Sequence, residues 1–404
     1  RGDVLMAPGA LLKLDDYRQV APRGTVDFLM RIGERLRGKR LVHVSASRYG
    51  ALAEGLSRVV AILSDLGVET TWEITIGTAD FDQVSRAVAK GLAGTEQVIT
   101  EAMLGRLRET GVDNARRLRL DADLVMVHDA SPLGLVEQRG DAARWVWRCH
   151  QDLSSAQPQL WNALRPMVQR YDAAVFSLAR FAAPLSIPRF IVYPAIDPLS
   201  ERNREMTRSE QALQLDRLHV PRDKPILLQV GPFERQHDPI GVINAYRLVK
   251  RHHDVRLVLA GPPPAPGGDA LGDVQEAASH DPDIAVILLP PDPQIELNAL
   301  ERAATIAIQK PLKADFTLEV ASAMWKGKPV IGTIAGGIPF QMVVNVTGYT
   351  VETVEGAAFR IRQLLSNPEL IGRMGAAGRE HVRRNFLVTR HLSDYLALLA
   401  HLTR

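Results

Sequence analysis

The feature that most limits how this chain can fold is a rhythm. Short apolar runs alternate with longer amphipathic stretches, the pattern breaks between Pro194 and Lys224, and then it begins again. In the first half, Arg40-Leu-Val-His-Val-Ser45 reads as a strand, Ser47 to Gly50 as a turn, and 53–66 as a helix. Further strands are predicted over 69–76, 124–128, 144–149, 173–177 and 189–193. Such alternation predicts a parallel sheet covered by helices on both faces. The second half repeats it, with strands over 225–230, 255–260, 284–289, 304–308, 330–332 and 349–351 and helices over 239–252, 354–365, 368–385 and 388–402. At 404 residues the chain exceeds what one hydrophobic core supports. The expectation is an α/β protein with two Rossmann-like doubly wound domains facing a cleft. The first spans 1–195 with the last helix, about 388–402, returning to it, and the second spans 220–387.

Composition removes several classes of function. Lys plus Arg number 49 against 46 Asp plus Glu, a net charge of +3 that leaves no nucleic-acid footprint. The basic runs Arg116-Arg117-Leu-Arg119 and Lys250-Arg-His-His253 adjoin amphipathic segments and read as solvated faces. No apolar run approaches the ~20 residues that span a bilayer, and no signal-like segment is present, so a cytoplasmic protein without membrane association is expected. A single cysteine, Cys149, rules out an internal disulfide and a multi-thiolate zinc site, and it reads as a small buried hydrophobe. The loop 262–272, rich in proline and glycine, is expected to be mobile rather than catalytic.

Ligands of doubly wound sheets bind at the carboxyl ends of the strands. This directs attention to the loops after Ser45, His128, Cys149, Val230, Ala260, Ile308 and Gly332. Four segments carry a family likeness in those regions: His128-Asp129, Trp147-Arg-Cys-His-Gln-Asp-Leu-Ser154, Pro194-Ala-Ile-Asp-Pro-Leu-Ser-Glu201 and Ala323-Met-Trp-Lys-Gly-Lys-Pro-Val-Ile-Gly332. Together, and in this order, they resemble the trehalose glycosyltransferring synthases, retaining glycosyltransferases of family 4 with the GT-B fold. The resemblance implies transfer of glucose from a nucleoside-diphosphate donor to the anomeric hydroxyl of glucose. It implies no cofactor beyond the nucleotide sugar as substrate, and no metal.

The family's donor-site pattern is not kept. Members place an arginine and a lysine five apart after the first strand of the second domain to neutralise the departing diphosphate; here Pro232 and His237 stand in those positions. Proline offers neither a side-chain donor nor an N–H, and histidine is mostly neutral near pH 7 unless an anion raises its pKa. Losing one such donor to developing charge costs ~3 kcal/mol. Members also carry two glutamates eight apart, for the transferred sugar and the ribose, where this chain has Ala314 and Ser322. Arg235, Lys313 and Glu319 are the nearby groups available to compensate, and Asp315 and Glu319 also read as charges at a helix start. Gly336 and Gly337 read either as a tight phosphate-facing loop or as a plain turn. In the first domain a run of three family glycines is reduced to Gly50, followed by Ala51 and Leu52.

The acceptor side keeps its polar identities. The resemblance assigns catalytic contact with the sugar to His150 and Arg148, with Asp152, and sugar binding to His128, Asp129 and Gly50. The sequence therefore predicts a trehalose synthase-like protein with lost or much reduced transfer, acting as a pseudoenzyme that binds a sugar, a nucleotide sugar, a protein partner or a second copy. The alternative is an active retaining transferase with a rebuilt donor site. A two-domain solute receptor is a third class, opposed by the lack of an export signal.

Overall fold

A computed structural model describes residues 13–47, 51–264 and 270–403. The chain separates into two compact units, one running to Pro194 and resumed from Val388, the other Ala195–Leu387.

The first unit is built on six strands: β1 Arg40–Ser45, β2 Glu69–Ile74, β3 Leu124–His128, β4 Arg144–Cys149, β5 Ala173–Phe176 and β6 Arg189–Ile191. All are parallel, in the order β2-β1-β3-β4-β5-β6. Every residue of β3 and β5 is buried, as expected of central strands with helices on both faces. Trp147 packs edge-on against Phe176, and the Trp147 indole N–H donates to the Asp129 carbonyl at 2.8 Å, satisfying the one polar atom of that buried ring. The helix Glu101–Ala115 starts where Thr100 accepts from the Met103 amide. Its Gly111 meets Gly134 so closely that a Cβ would lie 2.3 Å from the Gly134 carbonyl carbon. The last helix, Val388–Leu402, packs against Thr25–Glu34 of the same unit.

The second unit carries β7 Ile226–Val230, β8 Arg256–Gly261, β9 Ile284–Leu288, β10 Ile306–Gln309, β11 Val330–Gly332 and β12 Gly348–Thr350. Its order is β12-β11-β10-β7-β8-β9, again parallel. Strand order therefore reverses between β1 and β3 in one sheet and between β7 and β10 in the other. Those are the points where doubly wound sheets open a crevice for ligands.

Strand and helix ends fall within one or two residues of the sequence reading. The segment 195–219, placed outside the second domain by its irregular composition, is built into it. Asn298 Nδ2 donates to the carbonyls of Glu201 and Arg204 at 2.8 and 2.9 Å, and the helix Arg208–Arg217 packs on Gln294–Ala303. Long-range side-chain to backbone bonds, invisible in a local pattern, make that segment structural. Of the loop 262–272, residues 265–269 lie outside the described residues.

Candidate functional site

In the first unit, three histidines form a row that runs from His43 within β1, through His128 at the carboxyl end of β3, to His150 just after β4. His43 Nδ1 lies 2.9 Å from His128 Nε2, and His128 Nδ1 lies 3.1 Å from His150 Nε2. The parallel register sets His43 opposite Met126, and the next strand follows β3 with His128 opposite Arg148. His43 and His128 are buried, and His150 is half-buried at the strand's end. Burial pushes the His43 imidazole down to about 3; it also drives His128 and His150 well below the ordinary histidine value, helped by the nearby Arg148 cation. The row is neutral near pH 7.

The sequence-predicted residues around this row come together. Asp129, held at φ 60, accepts from the His150 amide through Oδ1 at 2.8 Å and so orients the residue that follows β4. Arg148 is 3% exposed; its Nη2 donates to the Val192 carbonyl, while Nη1 has no hydrogen-bond partner among the described residues. Burial lowers its pKa to about 10, which leaves it charged. Asp152 Oδ1 accepts from the Ser154 amide at 2.9 Å, closing a turn. Gly50 lies outside the described residues, as do the side chains of 51–54. Sequence reasoning missed His43, buried inside an apolar strand, and Tyr395, whose hydroxyl reaches His43 Nε2 at 3.3 Å from the last helix. His43 stood in the sequence as the one ionisable side chain within the buried part of β1, the only hint of it.

In the second unit the loops after β7 and β10 are tied to one another. Leu312 N donates to the Gln236 carbonyl at 2.7 Å, Gln309 Nε2 to Val230 O at 2.9 Å, and Gln229 Nε2 to His237 O at 2.8 Å. This brings Pro232, His237, Lys313, Ala314 and Glu319 into one neighbourhood around the switch point. Lys310, a cation the sequence reading passed over, is buried there and ion-paired with Asp238, the cap of helix Pro239–Lys250. It serves the fold. Arg235 is exposed and pairs with Asp273 at 3.5 Å. Burial lowers the His237 pKa, against the opposing pull of Glu234, Glu319 and Asp315. The imidazole thus sits among carboxylates, with Glu234 at 3.7 Å from its Nδ1.

Gly336 and Gly337 have a packing role here. At φ 49, Gly336 would place a Cβ 2.1 Å from the Asp315 carbonyl oxygen, and Gly337 N donates to that same oxygen at 2.8 Å. The glycines let the loop after β11 lie against 314–316. Ser322 also faces inward. It is 1% exposed; its hydroxyl lies 2.7 Å from Glu301 Oε2 and 2.9 Å from Asn203 Oδ1, and it accepts from Lys326 Nζ at 2.9 Å. Lys326 pairs with Glu301 at 2.6 Å, Arg202 joins Glu301 at 3.0 Å and Glu319 at 3.7 Å, and Trp325 Nε1 donates to Asn203 O. Burial pulls Lys326 down to about 8 despite its partner. Burial alone would raise Glu301, yet Lys326 and Arg202 outweigh it and hold the acid below its ordinary value. The pair is charged near neutral pH.

Among the described residues no group of three or more His, Cys, Asp or Glu is placed to hold a metal ion, and no helix is long and apolar enough to cross a membrane. A cavity of about 290 Å³ lined by Ala115, Leu120, Ala143 and Trp145 opens at the amino ends of β3 and β4, the end opposite His150.

Two parallel sheets with these switch points define a GT-B glycosyltransferase fold. A solved E. coli structure described as trehalose-6-phosphate bound with UDP-2-fluoro glucose superposes with a TM-score of 0.69 at 13% identity, over 90% of this chain and 99% of that one. At such identity the match speaks to fold alone. Residues 43–183 match the family model for the trehalose synthase N-terminal domain, and 211–381 the model for glycosyl transferases group 1. Trehalose synthase of Pyrococcus horikoshii is 35% identical over 398 residues, 96% of each chain. That of Rubrobacter xylanophilus is 35% identical over 404 residues, 96% of this chain and 97% of the relative. The chain belongs to the trehalose synthase family of glycosyltransferases.

Proposed function

We propose that this protein keeps the sugar-holding half of a trehalose synthase-like site and has lost most of its grip on the nucleotide diphosphate. It binds a sugar through His150, Arg148 and the Asp129 turn, and transfers glucose from a nucleotide sugar poorly. The observation that carries this reading is the charge around the β7 and β10 loops. Pro232 and Ala314 contribute no polar side chain, His237 sits among Glu234, Asp315 and Glu319, and Arg202 is committed to Glu301 and Glu319. A leaving diphosphate needs preorganised positive charge, and each donor lost costs ~3 kcal/mol. A cytoplasmic setting fits the lone buried cysteine. Exposed Ile334, Phe340 and Val344 would suit a protein partner or a second copy.

Calorimetric titration tests the reading. Glucose should bind, whereas UDP, ADP and GDP should give no measurable heat up to about millimolar concentration, a limit of roughly 4 kcal/mol. Micromolar binding of a diphosphate, with trehalose made from a nucleotide-glucose and glucose, would instead favour the active alternative, a donor site rebuilt from Arg235, His237, Lys313 and Glu319. Restoring charge by Pro232→Arg and His237→Lys together should raise UDP affinity at least about tenfold, since charged hydrogen bonds are worth roughly 1.5–3 kcal/mol each. An unchanged affinity would mean these loops do not form a donor site. Ser322 is left out of that variant because a glutamate there would meet the Glu301 carboxylate.

A further inference from the structure

The last rung of the ladder between β3 and β4 is made by a side chain. Asp129 N donates to the Arg148 carbonyl at 2.8 Å, and in a parallel ladder the next bond would join the His150 amide to the Asp129 carbonyl. Here the chain turns at Asp129 into the left-handed region, φ 60, and that carbonyl leaves the ladder. The His150 amide goes instead to Asp129 Oδ1 at 2.8 Å. Strand β4 is thereby held in register one residue past the point where β3 has bent away, and that residue is His150.

The displaced carbonyl has a partner of its own. Trp147 Nε1–H donates to it at 2.8 Å. Chemistry fixes the direction of each bond, because an indole N–H and a backbone N–H only donate, while a carbonyl or carboxylate oxygen accepts. The indole is held in place: Trp147 is 1% exposed, its ring stacked on Trp161 with centroids 6.3 Å apart and edge-on to Phe176 at 5.9 Å. Aspartate suits the turn, being one of the few residues that adopt positive φ readily and carrying its acceptor close to the backbone. Without the indole the Asp129 carbonyl would lose its donor, and the His150 amide is the donor that a regular ladder would restore to it.

We propose that Trp147 is a positioning residue for His150: by drawing the Asp129 carbonyl out of the ladder, its indole N–H leaves the His150 amide to the Asp129 carboxylate and so sets the end of β4 that meets the sugar. This rests on the reading above that His150 contacts the sugar. It gives the Asp129 carboxylate a backbone task, and it gives the buried Trp147 side chain, which the sequence marked only as part of a strand and a motif, a part in the site.

The test begins with NMR of the full-length wild type, labelled with nitrogen-15 and carbon-13, near neutral pH. Scalar couplings across hydrogen bonds should join His150 N to the Asp129 carboxyl carbon and Trp147 Nε1 to the Asp129 carbonyl carbon. No variant is needed for this, so folding cannot obscure it. Trp147→Phe keeps an aromatic ring and removes the donor. The His150 amide should then couple to the Asp129 carbonyl, and glucose affinity should fall about three- to tenfold, the size of one neutral hydrogen bond. Asp129→Gly keeps the left-handed turn accessible and removes the carboxylate, with a loss of the same size. The double variant should bind no more weakly than the weaker single one, since both substitutions act through one bond. Trp161→Phe loosens the same ring stack without touching the Trp147 N–H and should leave the His150 coupling in place. A wild-type His150 amide coupled to the Asp129 carbonyl, an unmoved coupling in Trp147→Phe, or losses that add in the double variant overturn the proposal. Absence of glucose binding by the wild type would sink the sugar reading alone, since the couplings report the backbone independently of any ligand.

Discussion

Thr317 carries a cost that its neighbours impose. Its φ of 61 is a left-handed conformation that a β-branched residue resists by roughly 1–2 kcal/mol. Gln341 Nε2 grips the carbonyls of Phe316 and Thr317, and the Gly336-Gly337 turn presses on 314–316, so the loop holds the shape regardless. Glycine there relieves the strain but costs about 0.5–1 kcal/mol in unfolded-chain entropy. Thr317→Gly should therefore stabilise the protein by about 0.5–1 kcal/mol, measured as a higher urea midpoint at unchanged slope; a lower midpoint would show that no strain is stored there. Lys326 is the opposite case. Its ammonium satisfies Glu301, Asn203 and Ser322 at once, and removing it leaves a buried carboxylate held by Arg202 and the Ser322 hydroxyl. Lys326→Met should cost about 3–5 kcal/mol, the usual result of breaking a buried pair from one side. A loss under 1 kcal/mol would mean that Arg202 and solvent replace it freely.

At the scale of elements, close approach matters more than propensity. The helix Glu101–Ala115 lies against the 3-10 turn Leu133–Gln138 only because both contact residues are glycine, and a Cβ on Gly134 would sit 2.5 Å from the Leu107 carbonyl oxygen. Gly111→Ala should push the two apart and cost about 1–3 kcal/mol, the range for overpacking a tight contact. Thermal unfolding of the variant measures it, and a melting temperature equal to the parent's would show that the turn simply shifts away. Glycine in mid-helix ordinarily weakens the helix by about 0.5–1 kcal/mol relative to alanine, so the sign of this substitution separates packing from propensity.

Across the whole molecule, the buried histidines set a response to acid. His43 and His391 titrate near 3 in the fold, chiefly through burial, with Arg390 and Arg148 adding to the effect at His391, against about 6.5 in an unfolded chain. Between those values the unfolded chain binds protons that the native state refuses, so stability rises with pH across that window. It is whole above about 6.5 and is lost as pH falls toward 3. Each histidine contributes a slope of up to about 1.4 kcal/mol per pH unit, and His128 and His150 act in the same direction. Urea midpoints taken from about pH 7 to about pH 5 should fall steeply, before carboxylates such as Glu380, held near 2 by Arg383 and Arg384, begin to titrate. A flat profile over that range would place these imidazoles in contact with water.

Much of this protein was legible from periodicity alone. The strands Arg40–Ser45, Leu124–His128 and Arg144–Cys149 and the helices Val354–Leu365, Pro368–Asn385 and Val388–Leu402 follow from runs of apolar residues whose spacing is local. The family likeness came from contiguous motifs, and motifs are local too. The inward task of Ser322, the cap-and-cation pair of Asp238 and Lys310, and the row from Tyr395 to His150 were not legible. They join residues 21, 72 and, from Tyr395 to His43, 352 positions apart. By itself the amino-acid order determined two parallel, helix-covered sheets and which residues stand in the loops that follow β7 and β10. Only the tertiary structure decided which polar groups meet, because a hydrogen bond or an ion pair depends on distances of about 3 Å that no sequence spacing encodes.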